Sequence, residues 1–326
     1  MRNVLVPKSS LTTGARFPML SPVQYLTRAV GAYLGMALGD ALGATVEFMT
    51  PREIRSQYGE HRQIRGGGWL KLRKGQVTDD TTMALALGRS ILQAKGVDVD
   101  AVAEAFSAWM RNRPVDIGNT VRRGILNYRH TGKPVVVQST YDAGNGACMR
   151  TLPIALVTLG QDPVKVNAAS RAQCHVTHNN PLSDAGTECV IAMIQAAIGG
   201  AGKNELLHGP VRDLVLAYPE FGFRRKRQEN PSGYILETLR AVFQAVFDTD
   251  SFEDCLVDVV NRGGDADTTG AIAGMIAGSL YGIHALPARW LMALEPDVTA
   301  ECREQAVALL QLSPVTKTNG GHRRTV

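Results

Sequence analysis

Apolar residues along this chain recur mainly at three- and four-residue intervals rather than in alternation, which predicts helices in place of strands. The first periodic stretch runs from Tyr25 to about Gly43, and within it Gly31, Gly35, Gly39 and Gly43 occupy every fourth position. A second row, Gly270, Gly274, Gly278 and Gly282, lies in a helix expected to begin just after Asp267. Glycine inside a helix costs about 1 kcal/mol relative to alanine, so two such rows imply a close approach of backbones, and both helices are expected at the centre of the molecule. Between them the period predicts helices over 82–94, 99–111, 118–129, 147–159, 163–172, 183–198, 205–218, 234–249 and 251–261. The breaks fall at Gly66-Gly67-Gly68, Arg113-Pro114, Gly132-Lys133-Pro134, Asn179-Asn180-Pro181 and Gly263-Gly264. None is long enough for a domain linker. The expectation is an all-α, single-domain helical bundle over 22–314, with a flexible N-terminal extension at 1–21 and a flexible C-terminal tail at 315–326.

Composition narrows the class. The chain has 326 residues, of which 44% are hydrophobic, enough for a substantial core. No run of about 18 apolar residues appears, so no transmembrane segment is expected. Cys148, Cys174, Cys189, Cys255 and Cys302 are irregularly spaced with no CxxC pair, which fits neither a zinc site nor a disulfide framework and points to a reducing cytoplasm. The net charge of +5 is scattered apart from Arg224-Arg225-Lys226-Arg227 and His322-Arg323-Arg324. No basic stripe interleaves with aromatics, so nucleic acid is not an expected partner. No acidic residue precedes Asp40, yet the prolines near the N-terminus argue against an amphipathic targeting helix.

The residues that carry chemistry are acidic. Thr78-Asp79-Asp80-Thr81-Thr82 precedes a helical period; one Thr or Asp suffices to cap a helix, and two adjacent carboxylates flanked by hydroxyls exceed that need. Hard oxygen donors on one turn suit Mg²⁺ or Mn²⁺. Asp265-Ala266-Asp267-Thr268-Thr269-Gly270 repeats the chemistry at the second glycine row. A calcium EF-hand is excluded there, because its twelfth position is Ile276 where a bidentate Glu is required. The two turns together can hold a pair of divalent ions, with Asp40 or Glu47 as a further carboxylate. Asn145-Gly146-Ala147-Cys148-Met149-Arg150 is expected to open a helix after Asp142-Ala143-Gly144, where the glycines either expose N–H groups to an anion or make an ordinary turn. His175 and His178 lack a carboxylate or Cys at ligand spacing, which favours substrate contact or loop structure over metal ligation.

Taken together, Gly39-Asp40-Ala41-Leu42-Gly43, Thr78-Asp79-Asp80-Thr81, Asn145-Gly146-Ala147-Cys148-Met149-Arg150, Thr177-His178 and Gly263-Gly264-Asp265-Ala266-Asp267-Thr268-Thr269-Gly270 resemble the ADP-ribosylglycohydrolase family over nearly the whole chain. Thr45-Val46-Glu47-Phe48-Met49, Gly66-Gly67-Gly68-Trp69 and His178-Asn179-Asn180-Pro181-Leu182-Ser183 are most similar to the branch that acts on an arginine of dinitrogenase reductase. The resemblance implies an all-α bundle with a dinuclear metal site at one end, two divalent cations (Mn²⁺, or Mg²⁺), and hydrolysis of an N-glycosidic bond to ADP-ribose. It implies Thr78, Asp79, Asp80, Asp265, Asp267 and Thr268 as metal ligands, and Asp116 and Glu47 as catalytic carboxylates. Asn119, Gly144, Asn145, Gly146, His178 and Tyr234 would contact substrate. An ADP-ribosylated target protein is the implied partner, with a PII signalling protein and reversible membrane association through partners as regulatory expectations. Two alternatives stand beside this reading: a catalytically silent ADP-ribose-binding module, and the same chemistry on ADP-ribosyl-serine or O-acetyl-ADP-ribose.

Overall fold

A pair of helices built from small residues organises the molecule. The computed structural model describes residues 20–319. In chain order the helices are α1 (Pro22–Gly43), α2 (Pro51–Tyr58), α3 (Asp79–Ala94), α4 (Val99–Arg111), α5 (Asn119–Thr131), α6 (Leu152–Val157), α7 (Pro163–Cys174), α8 (Pro181–Ile198), α9 (Lys203–Leu206), α10 (Arg212–Ala217), α11 (Ile235–Asp248), α12 (Phe252–Val260), α13 (Ala266–Tyr281), α14 (Ala288–Leu291), α15 (Pro296–Leu312) and α16 (Pro314–Asn319). Among the described residues there is no strand, only two isolated bridges, Gly67 with Leu72 and Gly144 with Tyr234.

The glycine rows meet each other. A Cβ placed on Gly31, Gly35, Gly39 or Gly43 would fall on the backbone of Gly278, Gly274, Gly270 or Ala266 respectively, so α1 and α13 run antiparallel with no side chains between them. Every residue of α1 from Ala29 to Gly43 is buried, as is α13 from Ala266 to Ser279. α8, α11 and α12 pack on α13, while α15 packs on α1 and α3, where the buried Tyr33 hydroxyl donates to Gln305 Oε1 at 2.8 Å. Because the pair is antiparallel, the C-terminal end of α1 lies beside the N-terminal end of α13.

A third helix is pinned to that end. The Asp40 carboxylate accepts from the Thr78 N–H at 3.0 Å, from the Thr81 N–H at 3.1 Å and from the Thr81 hydroxyl at 2.6 Å. It therefore satisfies donors that the first turn of α3 leaves open, and α3 begins at Asp79 rather than 82. α13 likewise begins at Ala266, one turn position before Asp267. Both acidic motifs thus sit in first helical turns, where the helix dipole favours negative charge.

Other expectations need correction. The helix expected over 147–159 shortens to α6, and 145–151 forms tight turns closed by Cys148 N–H to Asn145 O at 2.8 Å and Thr151 N–H to Cys148 O at 3.2 Å. The stretch 205–218 is interrupted at Leu207–Val211, where Pro210 removes a donor and Gly209 leaves helical geometry. α2, α14 and α15 were not expected. Past the expected boundary at 314 the chain continues as α16; the extension at 1–19 and the tail from 320 lie outside the described residues.

Candidate active site

Three chain segments converge where α1 ends and α3 and α13 begin. Glu47, three residues after the α1 cap, reaches Asp265 and Asp267 so that one ligand oxygen from each lies within 4.8 Å of the others. Among the described residues this is the one group of three or more His, Cys, Asp or Glu side chains so arranged. Residues more than 200 positions apart are joined here by the glycine contact, because the double-glycine turn before α13 closes onto the same segment. Gly263 and Gly264 both have left-handed φ, at 70° and 65°, and the Phe48 N–H donates to Gly264 O at 2.7 Å while the Gly264 N–H donates to Met49 O at 3.0 Å.

Asp79 and Asp80 enter from α3. Thr78, Asp80, Asp267 and Thr268 are all nearly inaccessible. Asp80 Oδ2 accepts from the Thr78 hydroxyl at 3.1 Å and from the Thr268 hydroxyl at 3.4 Å, which ties the two acidic turns together. Its other oxygen, Oδ1, is buried with no hydrogen-bond partner. An orphaned carboxylate oxygen in such a place is what a bound cation would satisfy. Asp40, by contrast, has both oxygens hydrogen-bonded to the first turn of α3.

The electrostatics point the same way. Burial, reinforced by Asp116 and Asp40, pushes Asp79 up to about 7. Burial also pushes Glu47 up to about 8, against the Trp69 indole N–H that donates to its Oε2 at 2.6 Å. Asp80 and Asp267 are driven well above the ordinary carboxylate range by burial and by their acidic neighbours. Two helix N-termini are too weak a compensation for this much like charge. Oxygen donors from Thr78, Asp79, Asp80, Asp265, Asp267 and Thr268, hard and densely negative, fit divalent cations.

Four of these groups, Asp79, Asp265, Asp267 and Thr268, line a cleft of about 480 Å³, within the range of small-molecule sites. Asp116, Asn119, Gly144, Asn145, Gly146 and His178 also line it, together with Glu47, Asp79, Asp265, Asp267 and Thr268. Thr78 and Asp80 lie beneath its floor. Tyr234 is not among the lining residues; its neighbour Gly233 is, and Tyr234 itself is 40% exposed. A larger groove of about 1000 Å³ runs along the Arg224–Arg227 loop, where Arg224 pairs with Asp248 and Arg227 with Glu229 and Asp258, without a comparable convergence of carboxylates.

The glycines at 144 and 146 serve a different purpose from the one expected. They do not open a helix, since α6 starts only at Leu152. A Cβ on Gly144 would lie 2.9 Å from His178 Nε2, and one on Gly146 2.8 Å from its Cε1, so both make room for the imidazole. Asn145 bridges outward, donating through Nδ2 to Asp265 Oδ2 at 2.5 Å and to the Thr238 hydroxyl at 2.9 Å. His178 is itself fixed from behind. The fully buried Arg150 guanidinium stacks 4.4 Å from the Phe106 ring centroid and donates to Thr177 Oγ1 at 2.8 Å. A guanidinium has only donors, so the Thr177 hydroxyl accepts from it and gives its own proton to His178 Nδ1, 2.8 Å away. That leaves the ring hydrogen on Nε2. Burial and the nearby Arg150 push His178 down to about 3, so the cleft meets a neutral imidazole with one N–H to offer. His175 is occupied elsewhere, at 3.0 Å from Asp184.

Thr120, Val121 and Gly233 also line the cleft and were not singled out from sequence, while Phe48, Trp69 and Met149 lie inside motifs that carry the family resemblance but had no role assigned to them. Trp69 follows three consecutive glycines of left-handed φ.

Comparison with known proteins agrees with this geometry. The family model described as ADP-ribosylglycohydrolase matches residues 21–319. An ADP-ribosyl-[dinitrogen reductase] glycohydrolase of Rhodospirillum rubrum is 50% identical over 286 residues, covering 88% of this chain and 96% of that protein. The ADP-ribosylarginine hydrolase Tri1 of Pseudomonas putida is 35% identical over 83% of this chain and 75% of its own length. A solved ADP-ribosylglycohydrolase-related protein complex contains a chain that superposes with a TM-score of 0.79 at 35% identity, covering 89% of this chain and 99% of that one. With the acidic turns, the glycine seam and the match all spanning the same residues, this chain belongs to the ADP-ribosylglycohydrolase family.

Proposed function

We propose that this protein is a metal-dependent hydrolase that removes ADP-ribose from an ADP-ribosylated arginine of a target protein, and that the target is dinitrogenase reductase. The observation that carries the reading is the convergence of Glu47, Asp265 and Asp267 in one cleft, beside the orphaned Asp80 oxygen. The 50% identity to a glycohydrolase named for that target supports the substrate. Thr78, Asp79, Asp80, Asp265, Asp267 and Thr268 would hold two divalent cations, Mn²⁺ before Mg²⁺. Bound there, such ions supply electrophilic polarisation of ribose oxygens and of water.

The chain's own groups do the rest. The Gly144–Gly146 turn and the Nε2–H of His178 offer a small-residue wall and a neutral donor suited to the diphosphate, whereas a charged imidazole would couple its affinity to pH. Asn119, at the start of α5, borders the same space. Asp116 lines the cleft with one oxygen accepting from its own chain at Ile117 N–H, 2.7 Å; the proton that the departing guanidine takes up would come from Asp116 or from water held at the metal site. Glu47, held by Trp69 and grouped with Asp265 and Asp267, would meet the positive charge that develops at the anomeric carbon as a carboxylate. Direct attack of water and Asp116-assisted opening of the ribose ring both use these positions. The five cysteines are free and buried, in keeping with a cytoplasmic home, and no helix among the described residues is long and apolar enough to cross a membrane.

Replacing Asp79 with Ala is expected to abolish release of ADP-ribose from an arginine-linked protein at saturating Mn²⁺; near-normal turnover would overturn the assignment. A silent binding module would hold ADP-ribose without releasing product from the wild type, and release from serine-linked substrate alone would move the chemistry to another linkage.

A further inference from the structure

Two large aromatic side chains at the mouth of the cleft are left in solvent. Phe48 is 64% exposed and Trp69 is 51% exposed, yet both are held firmly. Their ring centroids lie 5.4 Å apart at 46°. Phe48 takes a left-handed φ of 62°, a conformation costly for a bulky residue and retained only where the surroundings enforce it; here the Phe48 N–H is bound to Gly264 O. Trp69 is anchored by its indole N–H to Glu47 and by a run of three left-handed glycines, Gly66 to Gly68. A Cβ on Gly68 would lie 2.5 Å from the Ala44 carbonyl oxygen, so that turn is seated on the end of α1. A strained, anchored and solvent-facing aromatic pair contributes little to the core and is preformed for a ligand.

The chemistry of its setting selects the ligand. The rings flank Glu47, and the cleft behind them is lined by Asp79, Asp116, Asp265 and Asp267, so the mouth is a place where electron-rich ring faces and a negative field coincide. A planar, weakly hydrated cation is the group best suited to both. We propose that Phe48 and Trp69 form the subsite for the guanidinium of the ADP-ribosylated arginine, and so select arginine linkage over uncharged linkages. This rests on the hydrolase reading above, since it names which part of that substrate the mouth receives. Glu47, sharing the Trp69 N–H, couples the subsite to the carboxylates at the anomeric carbon.

The test compares a substrate that carries the guanidinium with a product that lacks it. The small substrate ADP-ribosyl-agmatine is assayed for kcat/KM with Mn²⁺, and free ADP-ribose for its inhibition constant, on wild type, Phe48→Gly, Trp69→Phe and Trp69→Leu. Phe48→Gly removes the ring and at the same time relieves the left-handed strain, so loss of function in it cannot be put down to misfolding; melting temperature checks this. The expected result is a fall of about five- to tenfold in kcat/KM for Phe48→Gly, with ADP-ribose inhibition unchanged. Trp69→Leu should fall further than Trp69→Phe, because both lose the bond to Glu47 but only Leu loses the ring face. Unchanged kcat/KM in Phe48→Gly, equal losses for Leu and Phe at position 69, or a parallel loss of ADP-ribose inhibition would each overturn the subsite. Absence of turnover by the wild type would instead overturn the hydrolase reading, and the two failures are thereby told apart.

Discussion

The glycine seam and the acidic cluster are both buried and both break an ordinary rule of protein interiors, in opposite senses. In the seam between α1 and α13 the glycines of one helix lie directly against the backbone of the other. The cluster at its end is crowded with side chains that repel one another and leave Asp80 Oδ1 without a partner. One region gives the fold its frame; the other is a local excess of like charge that the frame holds in place. Stability and chemistry are thus divided between adjoining segments of the same two helices, and the division can be attacked from either side.

The largest effect is expected in the seam. Gly39→Leu would drive a side chain into the Gly270 carbonyl; since backbone cannot move aside as a side chain does, the loss should be at least about 3 kcal/mol, with activity falling in parallel. Gly96→Ala, where an added Cβ meets nothing, serves as the neutral control, and denaturant melts of both variants read the difference. Should Gly39→Leu melt like the wild type, the seam is not the frame.

The cluster should answer in the opposite way. Asp267→Asn keeps the shape but removes a buried acid that burial and its acidic neighbours hold well above the ordinary carboxylate range, and so is expected to raise the stability of the metal-free protein near neutral pH. Turnover should drop at least about a hundredfold, and added Mn²⁺ should no longer raise the melting temperature as it does in the wild type. A variant that is less stable without metal would show that the charge is compensated inside the protein.

A third effect is a pH dependence whose sign follows from linkage. The folded-state values of Asp79 and Glu47 rise from 3.8 to about 7 and from 4.5 to about 8. Between the ordinary and the raised values the folded state holds protons that the unfolded chain has released, so stability falls as pH rises through that window. In chelator, the melting temperature should therefore decline from about pH 5 to about pH 8. Divalent cations should cancel the decline, and their stabilisation should be greatest at the alkaline end. A flat profile in chelator would contradict the repulsion described above.

Much of this division was legible in the sequence, because its signals are local. Glycine at every fourth position admits one physical use, close backbone approach, and Asp-Asp and Asp-x-Asp at helix starts name their chemistry. What escaped detection depends on distant partners. α3 starts at Asp79 because Asp40, far away in sequence, caps it, and nothing near Thr78 announces that. α15 carries a weak apolar stripe whose buried face includes Gln305, bonded to Tyr33. α2 buries only Ile54. The turn at 145–151 reads as helix by period, and the space required by the His178 ring decides its shape. Phe48 is the plainest case, since propensity argues against a phenylalanine at left-handed φ, and only the bond to Gly264 accounts for it.

The bare contact between α1 and α13 also limits how this protein can move. Interlocked side chains can trade one rotamer set for another and let two helices slip; touching backbones have no second arrangement to adopt. The cleft at the end of that contact therefore rests on a floor that does not yield, in keeping with the fixed placement of Phe48 and Trp69 at its mouth.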